Sequence, residues 1–249
     1  MIFSLTEISE AENKIVAEAK NKYGKVYENA EKLVFLLWIF LKSVEADAWI
    51  FVSFLSQVQK FAFLSLLSTI RQHNAQSLMN IRQIFEAGVL ATYALHERND
   101  TTYYYKDKND VAYVKEGTKE KAYKWLEENY KSHSDTIKNQ KRIINNMWTH
   151  ASILLTPLNF QLEKEEKFLN SVFDKEDEFQ TKNDLWFLAN SCWGLLDLFA
   201  KEITKTKMAK LSDDFVVKMK QYGDNNEALK KEFMDHPRIQ KWADLEKKS

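Results

Sequence analysis

The stretch from Asn74 to Glu97, NAQSLMNIRQIFEAGVLATYALHE, constrains the fold of this chain more than any other. It contains no proline. At about 100° per residue, Leu78, Met79, Phe85, Val89 and Tyr93 fall on one broad face, which predicts a long core helix. In the middle of that face stand Arg82 and Glu86, four residues apart and therefore adjacent on a helix. Charged side chains are rarely buried unless paired, because stripping water from them is costly. Two readings follow. The pair is either a structural clamp between helices or part of a chemical site.

The rest of the chain carries the same helical texture. Gly and Pro together number seven in 249 residues, against an ordinary usage of roughly 12%. Few breakers mean few tight turns and long helices. A first helix is predicted from Thr6, as N-cap, to Ser43, with a break at Gly24. A second runs from Ala48 to Gln72, capped by Asp47. His73–Asn74 is the turn before the central helix. The segment Arg98–Gly117 is polar with interleaved tyrosines and reads as a long connection. Such tyrosines stack on bases or pin a loop to the domain. Helices follow over Thr118–Tyr130 and, capped by Ser134, to Ser152. Residues 158–173, with two apolar arms around EKEE, read as a hairpin or a helix. An acidic linker then leads to a helix over Asp184–Thr204. Shorter helices over Ser212–Gln221 and Asn225–Met234 complete the chain, with a stop at His236–Pro237. No repeat or linker divides the sequence. The expectation is an all-α, single-domain bundle of long antiparallel helices spanning 1–249, with one small β-hairpin near 158–173.

Charge narrows the function classes. Lys plus Arg and Asp plus Glu both number 36, so no global field favours nucleic acid or an anionic membrane. Locally, Thr118–Arg142 carries seven basic and four acidic residues, and Glu163–Asp184 four and eight. The lone Cys192 excludes an intrachain disulfide, and its apolar helical surroundings suit an inert buried thiol in a reducing cytoplasm. The beginning of the chain lacks the basic region of a signal peptide. The apolar runs Leu33–Leu41, Ala48–Gln59 and Phe61–Ile70 are interrupted by Lys42, Glu45, Asp47 and Lys60. They read as buried helices with no stable membrane insertion. GxGxxG, GxxxxGK[ST], HExxH and GxSxG are absent, and no two histidines stand at ligand spacing. No cofactor or metal is expected.

One stretch does point to chemistry. In RIINNMWTHAS, Arg142 to Ser152, the helical period puts Ile143, Ile144, Met147, Trp148 and Ala151 on a buried face. Arg142, Asn146 and His150 form a stripe along its edge. A histidine there is half desolvated yet reachable, with an ordinary pKa of about 6.5 suited to proton transfer. It also suits a structural, hydrogen-bonded role.

The hexapeptide Asn145-Asn146-Met147-Trp148-Thr149-His150 resembles the arginine–polar–three residues–histidine motif of HEPN-domain proteins. Those are all-helical, often dimeric proteins, many of them metal-independent ribonucleases of toxin–antitoxin and phage-defence systems. The helix carrying Arg82-x-x-x-Glu86, followed by Thr149-His150-Ala151-Ser152, also resembles a related group of uncharacterised bacterial helical proteins. The likeness spans roughly Ala75–Leu155. Asn146 and His150 match the motif, while Asn145 stands where its arginine belongs. Arg142, about one turn earlier, reaches the site only if its side chain bends towards His150. The resemblance implies RNA or a nucleotide as ligand and a homodimer or partner protein.

Residue chemistry gives the same candidates without the family. Metal-independent RNA cleavage needs a base for the 2′-hydroxyl and a cation for the phosphorane charge. His150 suits the first role, Arg82 or Arg142 the second, and Glu86 can hold the imidazole in one tautomer. The competing expectation is a non-enzymatic helical interaction or self-assembling module with Arg82–Glu86 as a clamp. A third is a catalytically dead HEPN relative that binds nucleotides.

Overall fold

The central helix packs against four others and is buried nearly all round. In a computed structural model that describes residues 4–148, 160–162, 168–170, 172–175 and 177–246, it is α3, Asn74–His96. Its main partner is α2, Trp49–Ile70, joined to it by a turn in which Gln72 takes the left-handed conformation at φ 61°. Small hydroxyl residues seal the seam between them. Ser65, Thr69 and Ser77 share buried hydrogen bonds, the shortest being Thr69 Oγ1–Ser77 Oγ at 2.6 Å. On the sequence-predicted apolar face, Leu78, Phe85, Val89 and Tyr93 are buried, but Met79 is half exposed. α3 is surrounded rather than one-sided, so its apolar residues extend beyond the face that period alone assigns.

The chain begins with α1, Leu5–Ile39. Its N-cap is Ser4 rather than Thr6, because Ser4 Oγ accepts the Glu7 amide while Glu7 accepts the Ser4 amide. The expected break at Gly24 is present, with φ 52°. The helix does not continue to Ser43. Residues Leu41–Val44 form β1, which pairs antiparallel with Ala209–Leu211 far along the chain. Nor does Asp47 cap α2. It lies in a 3-10 turn, Ala46–Ala48, and accepts a hydrogen bond from Arg98 at 3.1 Å. The combined span Ala46–Ile70 is long and apolar enough to cross a membrane by length and composition.

The segment after α3 is more ordered than a long connection. Tyr104–Lys106 (β2) and Ala112–Val114 (β3) pair antiparallel. Tyr103 pins the segment inward, its hydroxyl donating to the Glu97 carbonyl at 2.7 Å. Tyr105 and Tyr113 stack on each other across the exposed hairpin. Then come α4, Thr118–Asn129, and α5, Lys131–Trp148. Ser134 is buried inside α5 instead of capping it. The small hairpin expected near 158–173 is present as β4, Phe160–Leu162, paired with β5, Phe168–Asn170.

α6, Glu178–Thr206, begins inside the stretch that reads as an acidic linker, with Asp177 accepting the Gln180 amide as N-cap. Ala209–Leu211 is β6. The two short helices expected next are one, α7, Phe215–Met234, which runs through Gly223. Pro237 opens α8, Pro237–Glu246, rather than ending the helical region, since a helix's first position needs no amide hydrogen. The fold is all-α, and its three two-stranded sheets among the described residues are small additions.

Candidate functional site

Three helices converge on Glu86. α3 supplies the carboxylate and Arg82. α4 supplies Lys119 and Tyr123, four residues apart and so on one face, and α5 supplies Lys141. Lys119 Nζ donates to Glu86 Oε2 at 2.8 Å. Lys141 Nζ lies 2.9 Å from Glu86 Oε1, and Arg82 Nε reaches the same oxygen at 3.3 Å. The i, i+4 pair read from the sequence therefore forms, but it is the longest of the three contacts. Arg82 is also more open to solvent than its partner, with 35% of its side chain exposed against 18% for Glu86.

Electrostatics at Glu86 is decided by the lysines. Burial alone would raise its pKa. Hydrogen bonds and charge from Lys119 and Lys141 outweigh that and hold it at about 2. Lys141 is the most enclosed cation, its side chain 14% exposed. It donates to the Tyr123 hydroxyl at 2.8 Å and stands 4.8 Å from the centre of that ring. Burial, and then the charge of Glu86, push the Tyr123 phenol upward, so it stays protonated.

Beyond Lys141 the site opens into a groove of about 270 Å³ lined by Tyr123, Lys138, Lys141, Arg142, Asn145 and Asn146. Lys138 pairs with Glu127 at 2.8 Å. Arg142 is exposed and donates to Asn139 at 2.9 Å, with no carboxylate partner among the described residues. The structure thus brings Arg142 and Asn146 to one wall, with Arg82 and Glu86 joined to it through Lys141. His150, with Thr149, Ala151 and Ser152, lies outside the described residues. Ile144 is buried as expected for α5, but Ile143 is 46% exposed.

No family model, curated protein or solved structure matches this chain. Its chemistry rests on the residues themselves. The groove offers ammonium, guanidinium and amide donors and one protected phenol, a set that suits phosphate oxygens. Among the described residues, no three His, Cys, Asp or Glu side chains gather as metal ligands.

Sequence reading missed Lys119, Tyr123, Lys138 and Lys141. Two signals were present: the basic excess over Thr118–Arg142, which contains all three lysines, and a pattern on α5. Lys138, Lys141, Arg142 and Asn145 stand at i, i+3, i+4 and i+7, a polar stripe along one side of α5. Cys192 is fully buried, and burial pushes its thiol up to about 12, as befits an inert side chain.

Proposed function

We propose that the groove between α3, α4 and α5 holds phosphate groups of RNA or of a nucleotide, in a HEPN-like helical protein of bacterial stress response or phage defence. The supporting observation is an excess of positive charge. Among the described residues, Arg82, Lys119, Lys138, Lys141 and Arg142 form ion pairs with only two carboxylates, Glu86 and Glu127. Glu86 is a single negative charge shared by three cations, so the field it leaves uncancelled favours an anion. Its role in this reading is to gather the cations and fix their spacing. In the sharper form of the proposal His150 takes the proton of the 2′-hydroxyl, whose oxygen attacks phosphorus and breaks the bond to the 5′-oxygen. The 5′-oxygen leaves with a proton from water, Asn146 helps to orient the strand, and the cations steady the charge that develops on the phosphorane oxygens.

The test is fluorescence anisotropy of labelled single-stranded RNA, and of labelled ATP, over a salt series. Lys138→Glu and Arg142→Glu alter exposed side chains and should leave the fold intact. Each is expected to weaken binding about tenfold or more. Each should also flatten the dependence of log K on log salt by about 0.7 for a lost single-strand phosphate contact. Wild type that binds neither probe at low salt ends this reading. RNA integrity after incubation with wild type and His150→Ala then separates a nuclease from a binding protein.

The interaction-module reading has one observation in its favour. Glu86 ties three helices together, as a structural clamp would. That module shows no RNA affinity and no response to Lys138→Glu.

A further inference from the structure

A second cavity, of about 300 Å³, lies on the flank of α5 opposite the basic groove, between α5 and α6 and floored by Phe85 of α3. Its size is at the lower end of small-molecule sites, roughly 300–1,000 Å³. Phe85, Ile137, Trp193 and Leu195 give it apolar sides. Gln140, Asn190 and Ser132 give it amide and hydroxyl groups. At one end His133 Nε2 lies 2.9 Å from Asp197 Oδ2, and Lys201 donates to the same oxygen at 2.6 Å. The bond from His133, with that from Lys201, keeps Asp197 below the usual carboxylate range despite its burial. An ionised carboxylate only accepts, so His133 carries its hydrogen on Nε2. Its Nδ1 has no hydrogen bond to any described residue. The Gln140 amide is likewise unengaged, and Asn190 uses only its oxygen, on Asn226 at 3.2 Å.

The helical glycines supply an independent observation. Glycine is a poor helix former and needs a reason to sit inside one. At Gly88 an added Cβ would stand 2.7 Å from Leu195 Cδ2, and at Gly223 it would stand 2.7 Å from Trp193 Nε1. Close packing explains both. Gly194, inside the 29-residue α6, has nothing within 4 Å of an added Cβ. It opens onto this cavity, so its missing side chain leaves room rather than relieving a contact.

We propose that this cavity binds a small, neutral, planar heterocycle of the nucleobase class, free or as its nucleoside. Charge sets the neutrality. Asp197 disfavours an anion, Lys201 disfavours a cation, and each already satisfies the other. The apolar sides suit the faces of a flat ring. Gln140, Asn190 and His133 offer donors and acceptors to a ring edge that carries both, as amide side chains do when they read bases. The site stands on the side of α5 away from the phosphate groove and does not depend on that groove's function.

The experiment uses calorimetry and thermal shift with adenosine, guanosine, cytidine and uridine at millimolar concentration, and ribose as the control without a base. At least one nucleoside is expected to bind saturably and raise the melting temperature, while ribose does neither. Gly194→Leu fills open space, so circular dichroism and melting should match wild type, yet nucleoside binding should fall about tenfold or more. Gln140→Ala, at a partly exposed position, should weaken it about three- to tenfold and serves if Gly194→Leu fails to fold. Arg142→Glu should leave it unchanged. Because a nucleoside carries no phosphate, this result can fail while RNA binding succeeds, and the reverse. Wild type that binds no nucleoside overturns the proposal. So does a folded Gly194→Leu that binds as wild type, or binding lost in Arg142→Glu but kept in both cavity variants, which would place the base in the groove.

Discussion

Glu86 and Asp184 are carboxylates set into the same bundle, and their surroundings drive them in opposite directions. Glu86, on α3, is partly enclosed, yet Lys119 and Lys141 hold it at about 2 against the burial that would raise it. Asp184, near the start of α6, is 3% exposed and receives one hydrogen bond, from Gln180 Nε2 to Oδ1 at 2.8 Å. Its Oδ2 is buried with no hydrogen-bond partner among the described residues. Burial, reinforced by the charges of Asp177 and Asp174, raises it to about 7. A carboxylate's titration here depends less on how deeply it sits than on whether cations were brought to it from other helices.

The largest expected effect comes from breaking the better-provided site. Glu86→Ala would leave Lys141 enclosed, with the Tyr123 hydroxyl as its remaining hydrogen-bond partner. Breaking a buried pair by removing one member typically costs about 3–5 kcal/mol, and partial exposure reduces that to about 2–4 kcal/mol here. Urea unfolding measures it directly, and the melting temperature should fall by roughly 5–15 °C. A loss below about 1 kcal/mol would show that the three helices do not depend on this carboxylate. The sign with pH follows from the lowered value. Glu86 contributes stability that is present above its ordinary 4.5 and is lost as pH falls towards 2.

Asp184 should behave in the opposite sense. Its native form retains a proton that the unfolded chain releases above its ordinary 3.8, so its contribution is full below that value and is lost as pH rises towards 7. From about pH 4.5 to 8, wild type should lose roughly 2–4 kcal/mol through this one group. Asp184→Asn keeps the oxygen that accepts from Gln180 and cannot ionise. It should therefore be the more stable chain at pH 8, with the advantage shrinking as pH falls from about 7 to about 4 and levelling off below that. Parallel stability curves for the two proteins across that range would mean that Asp184 is solvated in the native state.

The two sites were not equally legible in the sequence. Arg82 and Glu86 were visible because four residues make one helical turn, a local relation that period alone reveals. Lys141 was not, since its place beside Glu86 depends on how α5 docks on α3, 55 positions along the chain. Asp184 reads as one more acid in an acidic stretch, and only packing around α6 makes it buried. The same limit explains the sheets. β1 and β6 are short and meet across the length of the chain, whereas the central helix and the break at Gly24 declare themselves locally. Tyr104–Lys106 and Ala112–Val114 lie among polar residues that mask their pairing. His150, the residue on which the chemical reading of the sequence turned, lies outside the described residues, so its role rests on the motif and on experiment.

Arg82 gives the smallest effect and the finest test of the comparison. If Glu86 were held by its helical neighbour, Arg82→Met would cost nearly as much as Glu86→Ala. The geometry assigns that work to Lys119 and Lys141, at 2.8 and 2.9 Å, and leaves Arg82 at 3.3 Å with a third of its side chain in solvent. A pair of that kind is worth less than about 1 kcal/mol, and salt screens it further. Methionine keeps most of the aliphatic stem, so packing changes little. Arg82→Met should therefore lower stability by about 0.5 kcal/mol. In a double-mutant cycle with Glu86→Ala its coupling should stay below about 1 kcal/mol, while Lys141→Met coupled to Glu86→Ala should exceed that. The reverse order would return Glu86 to its own helix and make the convergence of α4 and α5 on it incidental.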